Sequence, residues 1–250
     1  MTAGEWVYGR RPVAEHLAAA PDTCRELLVA REGPLPAAIA EAARRLGLPV
    51  REVPRAALDR ASGGGNHQGV CLCVGGWAYA ALEDLAARAR APGRLPLLLA
   101  LDCVQDPRNL GAVLRVADGV GAAGVVIPQD RAAGLSAAAA RTASGALASV
   151  PVARVVNLAR SLDALRGEGF EILGADGSAP VDLYAAPVRF PCVAVFGGEH
   201  RGIRPNVAKR CGLRVSIPMG GAVGSLNVAV ACGVVSYELR RRFVTRAQRP

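Results

Sequence analysis

The sequence predicts an α/β protein whose larger part is built on a parallel sheet covered by helices on both faces. Two observations lead to this prediction. Segments that read as strands, such as 97–101 and 124–128, are continuous apolar runs without polar alternation, as expected where both faces of a sheet are buried. From residue 97 onward these runs alternate with stretches of helical pattern, and a repeating strand–helix order is typical of α/β architecture.

The first 76 residues predict a smaller α/β unit. Its predicted elements are helices at 13–19 and 36–46 and strands at 26–30, 50–53 and 69–74. Residues 62–69 are too rich in glycine to hold regular structure. The segment 77–95 mixes glycine, proline and arginine with one short amphipathic run. We interpret it as a linker between two domains.

Residues 96–250 predict the larger unit. The predicted strands are 97–101, 124–128, 150–155, 170–174, 192–196 and 213–217, and the predicted helices are 109–120, 137–147, 158–167 and 225–242. Ligands of open parallel sheets bind beyond the carboxyl ends of the strands. Three glycine-bearing segments with polar side chains, 109–115, 195–202 and 216–227, are associated with such strand ends. We therefore expect these segments to form a binding or catalytic site.

The charge balance favours a nucleic-acid partner. The chain has 250 residues, and its 30 Lys and Arg against 21 Asp and Glu give a net charge of +9. Such a balance is expected of proteins that bind polyanions. Charge that only solvates an alanine- and arginine-rich surface is the alternative. Aromatic residues make up 4% of the chain, which argues against an extended base-stacking platform as the main means of holding RNA.

Cysteine usage and hydropathy indicate a protein of the cell interior. The seven cysteines include no C-x-x-C pair, so structural zinc and a disulfide framework are poorly supported and reduced thiols are expected. No apolar run of membrane-spanning length and no secretory signal pattern occur in the sequence. We expect a soluble, cytoplasmic protein without a membrane partner and without a bound metal.

The glycine loops exclude two common nucleotide-binding motifs. The first strand of the larger unit is not followed by G-x-G-x-x-G, and the chain has no G-x-x-x-x-G-K-[ST]. The loop at 197–202 still lets backbone approach a ligand closely. From the residues alone, a cofactor with an adenosine part and a plain tight turn are equally supported.

The polar residues of the three segments have structural interpretations beside functional ones. Asn109 follows Pro107 and Ser225 precedes the last predicted helix, so both are N-cap candidates. Arg115 reads as a surface cation. Glu199 has no obvious packing role in a glycine loop after a buried strand.

The histidines and the C-terminal arginines are less informative. His67 and His200 are general-base candidates, but neither has a paired carboxylate nearby in sequence, and a surface or RNA contact is favoured. Phosphate contact and simple solubility are equally supported for the arginines near the C-terminus, which are Arg240, Arg241, Arg242, Arg246 and Arg249.

The three segments resemble the motifs of the SpoU-type RNA ribose 2'-O-methyltransferases of the SPOUT superfamily. The matching patterns are Asn109-x-Gly-x-x-x-Arg115, Gly197-Gly-Glu199-x-x-Gly202 and Ile217-Pro-Met-x-Gly-x-x-x-Ser225-Leu-Asn227-x-x-x-Ala231. The branch that methylates a guanosine of bacterial large-subunit (23S) rRNA is resembled at Val7-Tyr-Gly9, His67-Gln-Gly69 and Asp106-Pro-x-Asn-Leu-Gly111. The resemblance covers nearly the whole chain.

This resemblance implies a domain organisation, a cofactor and partners. Residues 1–76 are expected to form an RNA substrate-binding domain similar to a ribosomal-protein fold, and 96–250 a trefoil-knotted SPOUT methyltransferase domain. S-adenosyl-L-methionine is the implied cofactor and RNA the implied substrate. A homodimer is also implied, with sites that combine motifs from both chains.

The resemblance also assigns site residues. The implied catalytic residues are Asn109, Arg115, Glu199, Ser225 and Asn227. The implied cofactor-binding residues are Gly197, Gly198, Ile217, Met219 and Leu226. The implied RNA-binding residues are His67, Gln68, Arg108 and Arg201.

The implied reaction is in-line attack of a ribose 2'-hydroxyl on the sulfonium methyl group, for which the protein mainly supplies alignment. A guanidinium is always protonated in proteins, so we interpret Arg115 as a cation that clamps phosphate and stabilises the developing alkoxide. The final proton acceptor is left open. Alternatives are a transfer-RNA target, an antibiotic-resistance site on rRNA, or a non-catalytic RNA-binding assembly factor. A nicotinamide-dependent dehydrogenase is a distant alternative because its glycine fingerprint is missing.

Overall fold

The structure is a computed structural model that describes residues 5–75, 77–199, 201–222 and 224–247. The strands are β1 Glu5–Tyr8, β2 Cys24–Ala30, β3 Val50–Val53, β4 Val70–Val74, β5 Leu97–Asp102, β6 Gly124–Pro128, β7 Val152–Val155, β8 Glu171–Ala175, β9 Val181–Asp182, β10 Cys192–Gly197 and β11 Leu213–Ser216. The helices are α1 Arg10–Ala19, α2 Ala37–Arg45, α3 Arg55–Ser62, α4 Leu82–Ala89, α5 Pro107–Val120, α6 Ala137–Ala143, α7 Leu158–Gly167, α8 Pro205–Ala208 and α9 Val228–Ala247. The chain divides into two compact units, of which the first is Met1–Ala78 with Leu135–Ala148 and the second is Tyr79–Gly134 with Ser149–Pro250.

The first unit is built on a four-stranded mixed sheet in the order β1-β4-β2-β3. Only β2 and β3 pair in parallel, and the other pairs are antiparallel. Side chains along a strand alternate between faces. Accordingly Leu27 and Val29 of β2 pack in a core with α1 and α2, whereas Leu28 packs with Leu58 of α3 on the other face. Burial on both faces therefore explains why β2 lacks polar alternation.

A segment distant in sequence completes the first unit. The backbone N–H of Ala137 at the start of α6 donates a hydrogen bond to the Glu5 carboxylate, and the Arg141 guanidinium lies 4.6 Å from the centre of the Tyr8 ring. The helix predicted at 137–147 is shorter than expected, because Ser144 adopts a left-handed conformation and a 3-10 turn follows at Ala146–Ala148. The sequence pattern had placed this helix in the larger unit.

The second unit contains a seven-stranded sheet in the order β7-β6-β5-β10-β8-β11-β9. All of its strand pairs are parallel. Residues of α4 and α7 pack in one core with Leu98 and Ala100 of β5, whereas α5 and α9 pack on each other and contact β6 and β10. Every residue of β5 is buried. The predicted parallel sheet with helical cover is therefore confirmed, while the knot implied by the resemblance stays a prediction.

The segment 77–95 is not an extended linker. It contains α4, in which Leu85, Ala86 and Ala89 are at most 1% exposed and join the core of the second unit. Apolar residues spaced three and four apart give a helix one buried stripe. In a run of eight residues this stripe is too short for the sequence pattern alone to distinguish a helix from an irregular segment.

Three structural findings bear on the expected class of protein. No helix in the described part of the chain is long and apolar enough to cross a membrane. The described residues include all seven cysteines, and no disulfide joins any two of them. Within the same ranges, no group of three or more His, Cys, Asp and Glu side chains is placed to hold a metal ion.

Candidate active site

Three side chains from distant parts of the sequence form one hydrogen-bonded cluster in the second unit. Asn109 lies in the first turn of α5, Glu199 follows β10, and Asn227 immediately precedes α9. The Asn109 amide donates to Glu199 Oε1. The Asn227 amide donates to Asn109 Oδ1 at 3.1 Å and lies 3.4 Å from Glu199 Oε1. We call these residues the Asn–Glu–Asn cluster, and it brings together residues from all three sequence segments.

Helix capping explains why both asparagine amides are available to this cluster. The N-cap of α5 is Asp106, whose carboxylate accepts a hydrogen bond from the Arg108 N–H at 2.8 Å. At α9 the Asn227 side-chain oxygen accepts from the Ala229 N–H at 2.9 Å. The expected capping roles of Asn109 and Ser225 are therefore wrong, because a carboxylate one turn earlier and an asparagine two residues later fill them.

The loop after β10 is shaped by glycines that leave no room for a side chain. A Cβ on Gly197 would lie 2.0 Å from the carbonyl carbon of Gly202, and a Cβ on Gly198 would lie 2.4 Å from the carbonyl oxygen of Cys103. The Gly202 N–H donates to the Gly198 carbonyl at 2.9 Å, so that the loop closes on itself. This closed turn places Glu199 at its tip, against the carboxyl end of β5.

A buried ion pair anchors the same loop. Asp102, the last residue of β5, is fully buried. Its carboxylate accepts from the Arg204 backbone N–H at 2.7 Å and from Arg204 Nε at 2.8 Å. These hydrogen bonds to Asp102 raise the pKa of the Arg204 guanidinium. The sequence analysis missed this pair, although an aspartate that ends an otherwise apolar strand was a signal for one.

The residues implied to bind the cofactor line one cavity. Gly197, Gly198, Ile217, Met219 and Leu226 all border it, together with Ser225 and Glu199. Further apolar walls come from Phe196, Ile203, Val215 and Val228. The structure thus brings together the five implied cofactor residues and the implied catalytic residue Ser225.

The residues that line this cavity fit a flat apolar group that carries a positive charge. Aliphatic side chains and glycine backbone can sandwich a ring and meet its polar edge, and the Glu199 carboxylate supplies negative charge. Asp176 also lines the cavity and pairs with Arg214 at 3.2 Å. Asp176 was missed by the sequence analysis. Its carboxylate accepts from the Ser178 N–H at 2.9 Å and the Ser178 hydroxyl at 2.7 Å, which holds it in place.

A second cavity adjoins the first and is bordered by arginines. It shares Gly198, Glu199 and Gly202 with the cavity described above. Its other lining residues include Asn109, Arg131, Arg201 and Arg204. Glu199 therefore stands between a cavity lined largely by apolar side chains and glycine and a cavity lined by three arginines together with Asp106.

Arg115 does not join the cluster within one chain. It is exposed on α5, and six helical positions separate it from Asn109, which corresponds to about 120° around the helix axis. Neither of the two cavities is lined by Arg115. Among the described residues it forms no hydrogen bond or ion pair.

The implied RNA-binding residues occupy different environments. His67 is 3% exposed; its Nε2 lies 3.1 Å from Asp59 Oδ1, and its Nδ1 accepts from the Gly69 N–H at 3.0 Å. His67 therefore shapes the turn that presents Gln68, which is exposed and accepts from the Arg10 N–H at 3.0 Å. Arg108 is exposed and paired with Asp106 at 3.0 Å. The other histidine considered, His200, lies outside the described residues.

The C-terminal arginines are mostly engaged within the chain. Glu238 pairs with Arg241 at 2.8 Å and with Arg242 at 2.6 Å, and Arg240 donates to the Val120 carbonyl at 2.7 Å. Hydrogen bonds from Arg241, the largest influence, and from Arg242 lower the pKa of Glu238 to about 2. These three arginines thus stabilise the fold around α9, and Arg249 lies outside the described residues.

Comparison with known proteins identifies relatives of both units. Residues 96–237 match the model of the SpoU rRNA Methylase family, and residues 6–76 match the model for RNA 2'-O ribose methyltransferase substrate binding. The 23S rRNA (guanosine-2'-O-)-methyltransferase RlmB of Xylella fastidiosa is 45% identical over 207 residues, which cover 82% of each chain.

Solved structures share the fold of this chain. The AdoMet-bound rRNA methyltransferase of Sinorhizobium meliloti superposes with a TM-score of 0.77 at 26% identity and covers 96% of this chain and 88% of its own. The SpoU methyltransferase AviRb of Streptomyces viridochromogenes in complex with AdoMet has a TM-score of 0.80 at 24% identity, covering 97% and 91% of the two chains.

Proposed function

The chain belongs to the SpoU family of RNA methyltransferases, and from this premise we propose that it methylates a ribose 2'-hydroxyl of a guanosine in 23S rRNA with S-adenosylmethionine as donor. The observation that carries the proposal is the Asn–Glu–Asn cluster at the rim of a cavity lined by all five implied cofactor residues. Relatives support the finer assignments, since one is named for this rRNA activity and another was crystallised with AdoMet. We also propose a cytoplasmic location, which an rRNA substrate supports.

The cluster fixes the position of the Glu199 carboxylate. S-adenosylmethionine, when bound, supplies an activated methyl group. The amides of Asn109 and Asn227 both approach Glu199 Oε1, while Oε2 forms no hydrogen bond within the described residues. Glu199 Oε2 can therefore accept a hydrogen bond from the ribose 2'-hydroxyl and orient it. Holding the nucleophile in line with the methyl group is the main catalytic contribution that such a site can make.

We propose that a second copy of the chain completes the site. Val230, Tyr237 and Val244 are 52%, 54% and 39% exposed. They are spaced seven residues apart, so they lie along one face of α9. An exposed apolar stripe of this kind is suited to pack against its own copy. Since Arg115 is turned away from the cluster of its own chain, the partner's Arg115 is the one that clamps phosphate and stabilises the developing alkoxide.

Methyl transfer with defined RNAs tests the proposed function. The protein is incubated with labelled S-adenosylmethionine and either unmodified 23S rRNA or unmodified tRNA, and each product is mapped for 2'-O-methyl nucleotides. We expect one 2'-O-methylguanosine in 23S rRNA. Methylation of tRNA instead favours the transfer-RNA alternative. Methylation of 23S rRNA at a nucleotide where the methyl group makes ribosomes resistant to an antibiotic favours the antibiotic-site alternative. RNA binding without methyl transfer to any substrate supports the assembly-factor alternative and overturns the proposal.

A further inference from the structure

We propose that the arginine-lined cavity beside Glu199 is a phosphate subsite, in which Arg131, Arg201 and Arg204 bind the backbone of the RNA strand that carries the methylated ribose. The inference rests on the proposed function, because it names how the substrate of that same site is held. It adds Arg131 and Arg204 to the residues that contact substrate.

The fold brings these arginines together from two loops. Arg131 follows β6, whereas Arg201 and Arg204 follow β10. Both strands flank β5 in the parallel sheet, so their carboxyl ends lie at the same edge, where such sheets bind ligands. All three arginines line the cavity that also contains Asn109 and Glu199.

Two of the three cations have no ion-pair partner among the described residues. Arg131 and Arg201 form no ion pair within the described part of the chain, although ten other arginines in it do. Of the acidic residues nearby, Asp102 pairs with Arg204 and Asp106 with Arg108. The Glu199 carboxylate lines the same cavity, and its Oε1 is held by the two asparagine amides. Guanidinium groups left unpaired at one cavity are what binding of a phosphodiester requires, because their planar donors match phosphate oxygens.

The loop that carries Arg131 is held in a costly conformation. Arg131 has φ +58°, a left-handed conformation that costs a non-glycine residue about 1 kcal/mol or more. Hydrogen bonds fix the loop on both sides, from Gln129 N–H to the Val155 carbonyl at 2.7 Å and from Ala133 N–H to the Val104 carbonyl at 2.8 Å. A glycine would remove this cost. An arginine at this position therefore points to a role for its side chain.

Arg204 is fixed in place before any ligand arrives. Asp102 holds its Nε and its terminal nitrogen Nη2, and 29% of its side chain stays exposed. A guanidinium carries five donors, so donors remain for a phosphate. Arg204 and Arg131 also border an adjoining hollow with Asn157 and Asn206. The arginine-lined cavity thus continues along the carboxyl ends of β6 and β7. Asp130 also lines that hollow, and its negative charge disfavours a second phosphate there.

The position of the subsite predicts what it contributes. Phosphate contacts fix the register of a nucleic acid without reading its sequence. The cavity shares Glu199 with the cofactor cavity, so a phosphate bound there belongs to the nucleotide being methylated or to its neighbour. Loss of the subsite should therefore weaken binding of the RNA and raise KM, while leaving cofactor binding intact.

Arg131→Gly is the most informative variant because φ +58° suits glycine. Binding of a 23S rRNA fragment is measured at several salt concentrations with S-adenosylhomocysteine present. We expect Arg131→Gly to weaken binding about tenfold and to lower the slope of log K against log salt by about 0.7, as for one phosphate contact of a single strand. Arg131→Lys should restore most of the slope. Arg189→Ala is the matched control, since Arg189 is exposed three residues before β10, at the opposite edge of the sheet.

The result can fail independently of the proposed function. The subsite is overturned if Arg131→Gly and the double variant Arg131→Gly/Arg201→Ala both keep the KM and the salt slope of the wild type. Methylation by the wild-type protein would still support the proposed function in that case. If the wild type methylates no RNA, the proposed function fails, and the salt slopes still decide whether a phosphate is bound at these residues. Unchanged binding of S-adenosylhomocysteine shows that a variant keeps its fold.

Discussion

Glu199 is the residue on which the site converges, because it belongs to the hydrogen-bonded cluster and borders both cavities. Its carboxylate lies at the tip of a loop that glycine contacts and the Asp102–Arg204 pair hold closed. A charge placed in this way is expected to act on the substrate rather than on the stability of the fold.

Glu199→Gln keeps the shape of the side chain and removes its charge. We expect kcat for methyl transfer to fall by about a hundredfold or more, since positioned acid–base groups contribute on this scale, while the melting temperature stays close to that of the wild type. Steady-state kinetics and calorimetry measure the two quantities. Glu41→Gln, an exposed position on α2, is the control, and a Glu199→Gln enzyme with wild-type kcat contradicts the assignment.

His16 gives the first unit a defined response to acid. Its Nε2 lies 2.8 Å from Thr23 Oγ1 and its ring packs edge-on against Trp77 at 5.3 Å, and burial lowers its pKa from 6.5 to about 4. The folded state therefore favours the neutral ring. The contribution of neutral His16 to the free energy of unfolding is complete above about pH 6.5 and is lost as the pH falls towards 4.

The expected loss is on the order of 3 kcal/mol between pH 7 and pH 4, because one pKa unit corresponds to 1.36 kcal/mol. Urea unfolding of the wild type and of His16→Gln at pH 7, 6, 5 and 4 measures it. The free energies of unfolding should converge as the pH falls. Parallel curves across this range exclude His16 as the source.

The sequence predicted the role of a side chain where the residues next to it in the chain were enough to indicate that role. Glu199 was found because no packing role suits a carboxylate inside a glycine loop. Asp102 and Arg204 were missed because their partnership joins positions 102 residues apart. The capping errors at Asn109 and Ser225 have a local cause, since Asp106 and Asn227 compete for the same N–H groups.

At the scale of elements, the loop after β10 is the most constrained feature. Gly197→Ala would bring a methyl group against the backbone of Gly202 and Ile203, neither of which can rotate away. We expect a loss of about 1–3 kcal/mol in stability and at least a tenfold loss of cofactor affinity, measured by thermal unfolding and by titration calorimetry with S-adenosylmethionine.

Gly212→Ala is the control for this variant. Gly212 lies in the same unit, and a Cβ there meets no atom within 4 Å. It should bind cofactor as the wild type does. Equal cofactor affinity in Gly197→Ala would show that the loop adapts and that its closed shape is not required.

Elements were predicted best where burial is complete on both faces. The strand predicted at 97–101 appears as β5 and that at 124–128 as β6, because a continuous apolar run is informative without reference to its neighbours. The helices α3 and α4 were missed since each spans only eight residues. The last helix begins three residues later than predicted, at Val228.

At the scale of the whole molecule, the proposed dimer can be tested by mixing two inactive variants. Arg115→Ala should abolish turnover and Glu199→Gln should lower it about a hundredfold or more, while both variants still bind cofactor. If Arg115 acts on the partner's site, randomly mixed chains should recover about a quarter of the wild-type activity, since half of the dimers are mixed and each holds one intact site. Methyl transfer is measured after the two variants are unfolded and refolded together, and after separate refolding as a control. No recovery indicates that both groups act within one chain.

The parallel sheet was predicted from continuous apolar strands that alternate with helices, but the sequence did not predict which chain segments make up the first unit. Its segment Leu135–Ala148 lies more than fifty residues after the rest of that unit. Hydrophobic patterning reports which residues are buried and not which neighbours bury them. For this reason the helix at 137 was predicted and its place in the fold was not.

The discontinuous first unit limits where the gene can be cut. A truncated protein that starts at residue 79 keeps α6 but loses Glu5, which accepts the first N–H of that helix, and the β1 surface against which the helix lies. It also loses α1, which contacts the 3-10 turn Ala146–Ala148. Ala137, Ala139 and Ala143, now at most 8% exposed, become bare to solvent. A soluble catalytic fragment therefore needs a short replacement for 135–148, and a chimera that exchanges the first unit between relatives has to transplant both pieces of chain.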